Sequence, residues 1–129
     1  MSTHLLPHEV AALDACVERL VTRLNGQFVA AYLFGSKARG DFTPDSDLDV
    51  LIILEHVDGR VQDEVHLLGS RISLEYDVLI NTHVLSQARW EEMSRQQATL
   101  WREVQRDGTL LVLPLRRNRG DNSSGGESD

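Results

Sequence analysis

The sequence predicts a small α/β domain of the α+β kind, a mixed sheet flanked by helices, and three patterns carry that prediction. Residues 7–24 repeat apolar side chains at three- and four-residue spacing, the stripe of an amphipathic helix. Phe28 to Phe34 and Leu48 to Leu54 are apolar runs too short for a helix core and rich in β-branched, aromatic or aliphatic residues. Ile72 to Ile80 alternates, with Ile72, Leu74, Tyr76, Val78 and Ile80 against Ser73, Glu75, Asp77 and Leu79, the period of a strand with one buried face. A chain of 129 residues suits one domain with a modest core. We place that domain over residues 1–114 and expect residues 115–129, polar, then Arg-rich, then rich in Gly and Ser, to form a disordered tail.

In the first helix Val10, Leu13, Val17, Leu20, Val21 and Leu24 make the apolar face, and Glu9, Asp14, Glu18, Arg19 and Arg23 lie largely opposite. Pro7 suits the first position, where a missing N–H costs nothing, and Asn25-Gly26 supplies the left-handed residue that ends a helix. Cys16 sits beside the apolar stripe with no neighbour to activate it, so it reads as core packing. As the single cysteine it excludes an internal disulfide and fits a reducing compartment.

Between the two apolar runs lies the stretch GSKARGDFTPDSDLDV, Gly35 to Val50, read as strand, irregular loop and strand. Asp47 and Asp49 are two residues apart at the mouth of the second strand, so alternation puts both carboxylates on one face, with Cα atoms about 6 to 7 Å apart. Two like charges so close in a sheet are destabilising. A cation between them removes the repulsion, and hard oxygen ligands suit Mg²⁺. Gly35 lets the backbone approach a phosphate, and the Ser36 hydroxyl with the following N–H groups can donate to its oxygens.

Three other motifs fail here. A Walker loop needs Lys and Ser or Thr after its second Gly, whereas Lys37 precedes Gly40 and Asp41 follows it. A calcium loop starting at Asp45 would need Gly where Val50 stands and Glu where His56 stands. A nucleophile elbow needs Gly-x-Ser-x-Gly, which is absent.

Farther on, Asp58-Gly59 signals a turn, and Val61, Val65, Leu67 and Leu68 suggest a short helix leading to Gly69. After the alternating stretch, Asn81 or Thr82 is placed to cap a helix from about His83 to Arg95, and a second helix follows from Ala98 to Arg106 before Gly108. Trp90, Met93, Leu100, Trp101 and Val104 suit packing onto the sheet, and the two Trp residues also suit a partner interface. The five His residues are dispersed without ligand spacing and receive no metal.

A net charge of −7 argues against direct capture of DNA or RNA by the chain's own field. No run reaches the length of a membrane span, and Met1 to Pro7 lacks the basic start and apolar core of a signal peptide. The expectation is a cytoplasmic protein with no membrane partner.

Gly35-Ser36, then the ten residues Lys37 to Ser46, then Asp47-Leu48-Asp49 resemble the signature of the DNA polymerase β-like nucleotidyltransferase superfamily. Within it GSKARGD and SDLD are most similar to the minimal nucleotidyltransferases, and the ending WREVQRDGTLLVL resembles theirs, a helix giving way to Gly and a last short strand. The likeness covers most of residues 10–113 and excludes residues 115–129.

That resemblance implies a third carboxylate on a later strand, and by position it is Asp77, with Glu75 the substitute if the register differs. Two Mg²⁺ ions about 3.5 to 4 Å apart would then be bridged by Asp47 and Asp49, one carrying the nucleotide and one lowering the pKa of an acceptor hydroxyl. Asp77 would hold the second ion and, by resemblance, take the acceptor's proton. Attack on the α-phosphorus displaces pyrophosphate and leaves a nucleoside monophosphate on the acceptor, with catalysis by positioning and charge neutralisation. Gly35 and Ser36 would hold the outgoing phosphates, and Arg39, which matches the family pattern, either braces the acidic loop or contacts phosphate. Lys37 occupies a variable position and reads as a solvated side chain.

The resemblance implies AMP transfer from ATP, and most sharply an antitoxin that adenylylates and restrains a helical toxin of the HEPN type. Two alternatives stand beside it: adenylylation of a small molecule such as an aminoglycoside, against which the lack of a second domain counts, and a non-catalytic antitoxin that acts by binding alone. Against pure binding, a structural sheet gains nothing from clustered Asp.

Overall fold

A computed structural model describes residues 5–40 and 47–111. The tail expected over residues 115–129, and residues 41–46 of the central motif, lie outside the described residues.

Helix α1 spans Pro7–Arg23 with Pro7 in its first turn; Leu13, Val17, Leu20 and Leu24 of the predicted stripe are buried with Ala12 and Cys16 beside them, whereas Val10 is exposed and Glu9, expected on the opposite face, is buried. Strands β1 (Phe28–Phe34) and β2 (Leu48–Leu54) coincide with the two apolar runs, and a single short turn of helix, α2 (Ser36–Arg39), follows β1. The remaining elements are α3 (Gly59–Tyr76), β3 (Ile80–Ser86), α4 (Gln87–Gln96), α5 (Thr99–Asp107) and β4 (Thr109–Leu110). The strands form one mixed sheet in the order β3-β2-β1-β4, with β2 antiparallel to β1 and parallel to β3. The short terminal strand after Gly108 is β4, antiparallel to β1.

Two expectations are corrected. The alternating residues 72–80 are not a strand: α3 runs through Tyr76, capped by the Asp58 side chain at its start and ended by Asp77 in the left-handed conformation. Val65, Leu68 and Ile72, at helical spacing, are the buried side chains of α3. A buried strand face would have taken Leu74 inward with Ile72, but Ile72 is 0% exposed and Leu74 is 85% exposed. Likewise no helix starts at His83. Residues 80–86 extend β3 beside β2, and Ser86 caps α4 by accepting from the Arg89 N–H.

The sheet divides two apolar layers. Leu48, Val50, Ile52 and Leu54 of β2 join Ala31 and Leu33 of β1 against α1 and α3. On the other face Phe34, Leu51 and Ile53 pack with Val104, with Trp90 and Leu100 partly buried beside them. Gly69 lets α3 close onto β3, since a Cβ there would lie 2.8 Å from Thr82 Cγ2. Among the described residues no helix is long and apolar enough to cross a membrane.

Cys16 is fully buried and its surroundings push the thiol up to about 12, burial being the cause against a weaker opposing pull from Arg19. The structural reading of this residue holds. We predict that a disulfide-exchange thiol reagent at pH 8 leaves Cys16 unmodified in the folded protein and reacts only as the chain unfolds in urea; rapid labelling without denaturant would contradict the packing described here.

Candidate active site

Strand β2 is one of the two inner strands, and its sequence LDVLIIL contains one charged residue, Asp49. A carboxylate there is costly unless polar groups surround it; two side chains, Asn81 and His83, reach it, and the Gly35 turn closes over it. The β1–β2 register sets Phe34 opposite Asp49, so the chain turns at Gly35 directly over the carboxylate. Gly35 has φ +82, and a Cβ at this position would collide with Asp49 Oδ2. The parallel register sets Asn81 of β3 opposite Asp49, and Asn81 Nδ2 donates to Asp49 Oδ1 at 3.2 Å. Two residues on, His83 places Nε2 3.5 Å from the same oxygen.

That Nε2 is buried and makes no hydrogen bond among the described residues, while the His83 ring stands edge-on to Phe34 with centroids 5.1 Å apart. Asp49 is half-buried and Asp47, immediately before β2, is exposed. Asp77 lies in the turn between α3 and β3, exposed, with φ 55 and its N–H bonded to the Ser73 carbonyl. Because β2 and β3 are parallel, Asp47 and Asp77 stand at the same end of the sheet, but Asp77 is not on a strand. Among the described residues no three of His, Cys, Asp and Glu gather as a ready group for a metal ion.

The turn after Gly35 is anchored from outside the motif. Lys37 is not solvated as expected: it is 3% exposed, and its Nζ lies 2.9 Å from Glu9 Oε2 in α1. Glu9 Oε1 accepts from the Leu6 N–H at 2.9 Å, so one buried carboxylate closes the first turn of α1 and holds α2. Burial pushes the Glu9 carboxyl up, but the Leu6 N–H and the Lys37 ammonium outweigh it and hold its pKa below the ordinary 4.5. The Arg39 N–H bonds back to the Gly35 carbonyl at 3.0 Å, tightening the same turn, with the Arg39 side chain exposed at its end. Ser36 is the first residue of α2.

Three residues at the site escaped the sequence reading. Asn81 and His83 were hidden by taking 72–80 as the strand; moving the strand to 80–86 would have set Asn-x-His at the period that shares a face with Asp49. Glu9 gave no signal of its own, because its partner is 28 residues away.

The nucleotidyltransferase domain family model matches residues 14–103. The chain belongs to that family. Two proteins of Methanocaldococcus jannaschii, MJ0604 and MJ0141, each provisionally named a protein adenylyltransferase, are similar to it. The first is 38% identical over 81 residues, covering 62% of this chain and 76% of the relative. The second is 39% identical over 61 residues, covering 46% of this chain and 62% of the relative. Two solved structures share the fold: a chain of the MntA–HpeT toxin–antitoxin complex, with TM-score 0.52 and 18% identity over 77% of this chain and 72% of that one, and a chain of a toxin–antitoxin complex with AMP-PNP, with TM-score 0.53 and 19% identity over the same shares. The family assignment makes this nucleotidyltransferase an enzyme of nucleotide transfer, built on the predicted small mixed α/β domain.

Two predictions follow the geometry. Gly35→Ala should cost about 1 to 3 kcal/mol in urea unfolding, from left-handed strain and the collision with Asp49; an unchanged midpoint would refute the close approach. For Glu9, a folded pKa below the unfolded one stabilises above pH 4.5, and this contribution is lost as pH falls through the folded value. Melting temperature should therefore drop more steeply below about pH 4.5 in the wild type than in Glu9→Gln, and equal slopes would show that the pair contributes nothing.

Proposed function

We propose that the chain transfers AMP from ATP to a hydroxyl on a partner protein, a HEPN-type toxin, and so restrains that toxin. The observation that carries this reading is Asp49, a carboxylate kept in an otherwise apolar inner strand and held against the Gly35 turn. A sheet built only for stability would place an apolar residue there. The relatives' provisional name supplies the protein acceptor, and the toxin–antitoxin setting of the structural neighbours supplies the partner class.

The residues fit a divalent cation. Asp49 presents a carboxylate beside a buried imidazole nitrogen that has no hydrogen bond among the described residues, and Asp47 precedes it at the strand mouth. Asp47 and Asp49 would hold Mg²⁺, as one ion or two, which when bound would supply charge neutralisation at the nucleotide's phosphates and a lower pKa for the acceptor hydroxyl. Asn81 holds the Asp49 carboxylate in position. Gly35, Ser36 and Arg39 bind the phosphates of ATP, and the Glu9–Lys37 pair keeps their turn in place. Asp77, at the same end of the sheet, takes the acceptor's proton.

Incubating the full chain with Mg²⁺, each labelled nucleoside triphosphate and its co-purifying partner should add one or more AMP units to the partner, with ATP preferred. Transfer should vanish in Asp49→Asn. Label on an aminoglycoside but on no protein would move the acceptor to a small molecule. Toxin restraint that survives Asp49→Asn, with no nucleotide bound, would leave an antitoxin acting by contact alone.

A further inference from the structure

We propose that His83 is the protein ligand that β3 contributes to the cation at Asp49, in the role for which the sequence pattern nominates Asp77, and that its imidazole tilts the site toward Mn²⁺. The inference rests on the reading of Asp47 and Asp49 as a cation site.

Strand β3 reads INTHVLS and carries no carboxylate. Its residues on the face of Asp49 are Asn81, His83 and Leu85, and Leu85 belongs to the apolar layer beneath. Asn81 is engaged through its Nδ2, which donates to Asp49 Oδ1. His83 is different. Its Nε2 is shielded from solvent although the side chain as a whole is 39% exposed, it makes no hydrogen bond among the described residues, and it lies within ion-pair distance, 3.5 Å, of the same carboxylate oxygen. A buried imidazole nitrogen left this way is costly, and a ligand is one thing that removes the cost.

The spacing suits a shared ion. Two donors each about 2.1 Å from one cation stand about 3.0 to 3.4 Å apart, close to the observed separation. The edge-on contact with Phe34 limits ring rotation, so the nitrogen is held where an ion on Asp49 would meet it. Asp77 has none of these features, being exposed in a turn that its own backbone stabilises as the helix cap. Asp49 and His83 do not make a complete shell. Cations that carry nucleotides keep one or two protein ligands and take the rest from phosphate oxygens and water, which matches a site without three gathered donors. A nitrogen donor favours Mn²⁺ over Mg²⁺, because Mg²⁺ prefers oxygen ligands and the later first-row ions accept imidazole more readily.

The test uses the full chain labelled with ¹⁵N at histidine, Mn²⁺ and a non-hydrolysable ATP analogue. Pulsed electron paramagnetic resonance should detect ¹⁵N coupled to bound Mn²⁺ in the wild type and in Asp77→Asn, and the coupling should disappear in His83→Gln. Mn²⁺ affinity should fall about tenfold or more in His83→Gln, while Mg²⁺ affinity by competition should fall less than about threefold. Circular dichroism checks that each variant is folded, and His83→Asn serves if His83→Gln is not. Absence of ¹⁵N coupling in the wild type, its persistence in His83→Gln, or its loss in Asp77→Asn would overturn the assignment. Mn²⁺ binding unchanged in Asp49→Asn would overturn both the cation site and the role of His83. Coupling to His83 with no AMP transferred to any protein would uphold this inference and remove only the protein-acceptor reading.

Discussion

The structure depends on one costly placement, a carboxylate in an inner strand of a small sheet. Six of the seven residues of β2 are buried, and the exception is Asp49. Removing such a group from water without partners costs more than most single contacts in a domain return. The surroundings are arranged around that cost. The antiparallel register with β1 brings a residue without a side chain over one carboxylate oxygen, and the parallel register with β3 brings an amide and an imidazole to the other. Changing either register by one residue would turn these groups to the opposite face.

A second buried charge secures the turn that begins at Gly35. The Glu9–Lys37 pair joins α1 to α2, and Glu9 keeps a backbone N–H on its other oxygen. An ion pair with both partners buried contributes little net stability compared with apolar packing, but removing one member leaves an unpaired charge behind. Its effect is therefore mainly one of geometry. Alternative positions of the Gly35 turn are disfavoured because they would separate Lys37 from Glu9.

The rigid and the adaptable parts of the molecule are thus distinct. The apolar layers on both faces of β2 hold Asp49, Asn81 and His83 on strands, whose positions are set by packing and ladder hydrogen bonds. Asp47 and Asp77 stand where the chain enters β2 and β3, exposed and outside the ladders. Asp49, Asn81 and His83 are therefore fixed by the sheet, while accessible carboxylates stand at its end.

Much of this was legible along the chain. Helix α1 and strands β1 and β2 are local patterns, each with one periodicity and clear ends, and the Gly-Ser and Asp-x-Asp spacing identified the family without any structure. The stretch from Ile72 to Ile80 carries two periodicities at once, because Ile72 and Tyr76 satisfy both a helix and a strand. Only packing chooses between them: α3 buries Ile72 and leaves Leu74 in water, and β3 shifts on to residues 80–86. The sequence by itself determined the family, the first half of the sheet and the position of Asp49. Tertiary structure decided what surrounds Asp49, because Gly35, Asn81, His83, Glu9 and Lys37 act through strand register and helix docking, which join residues far apart in the chain and leave no local pattern.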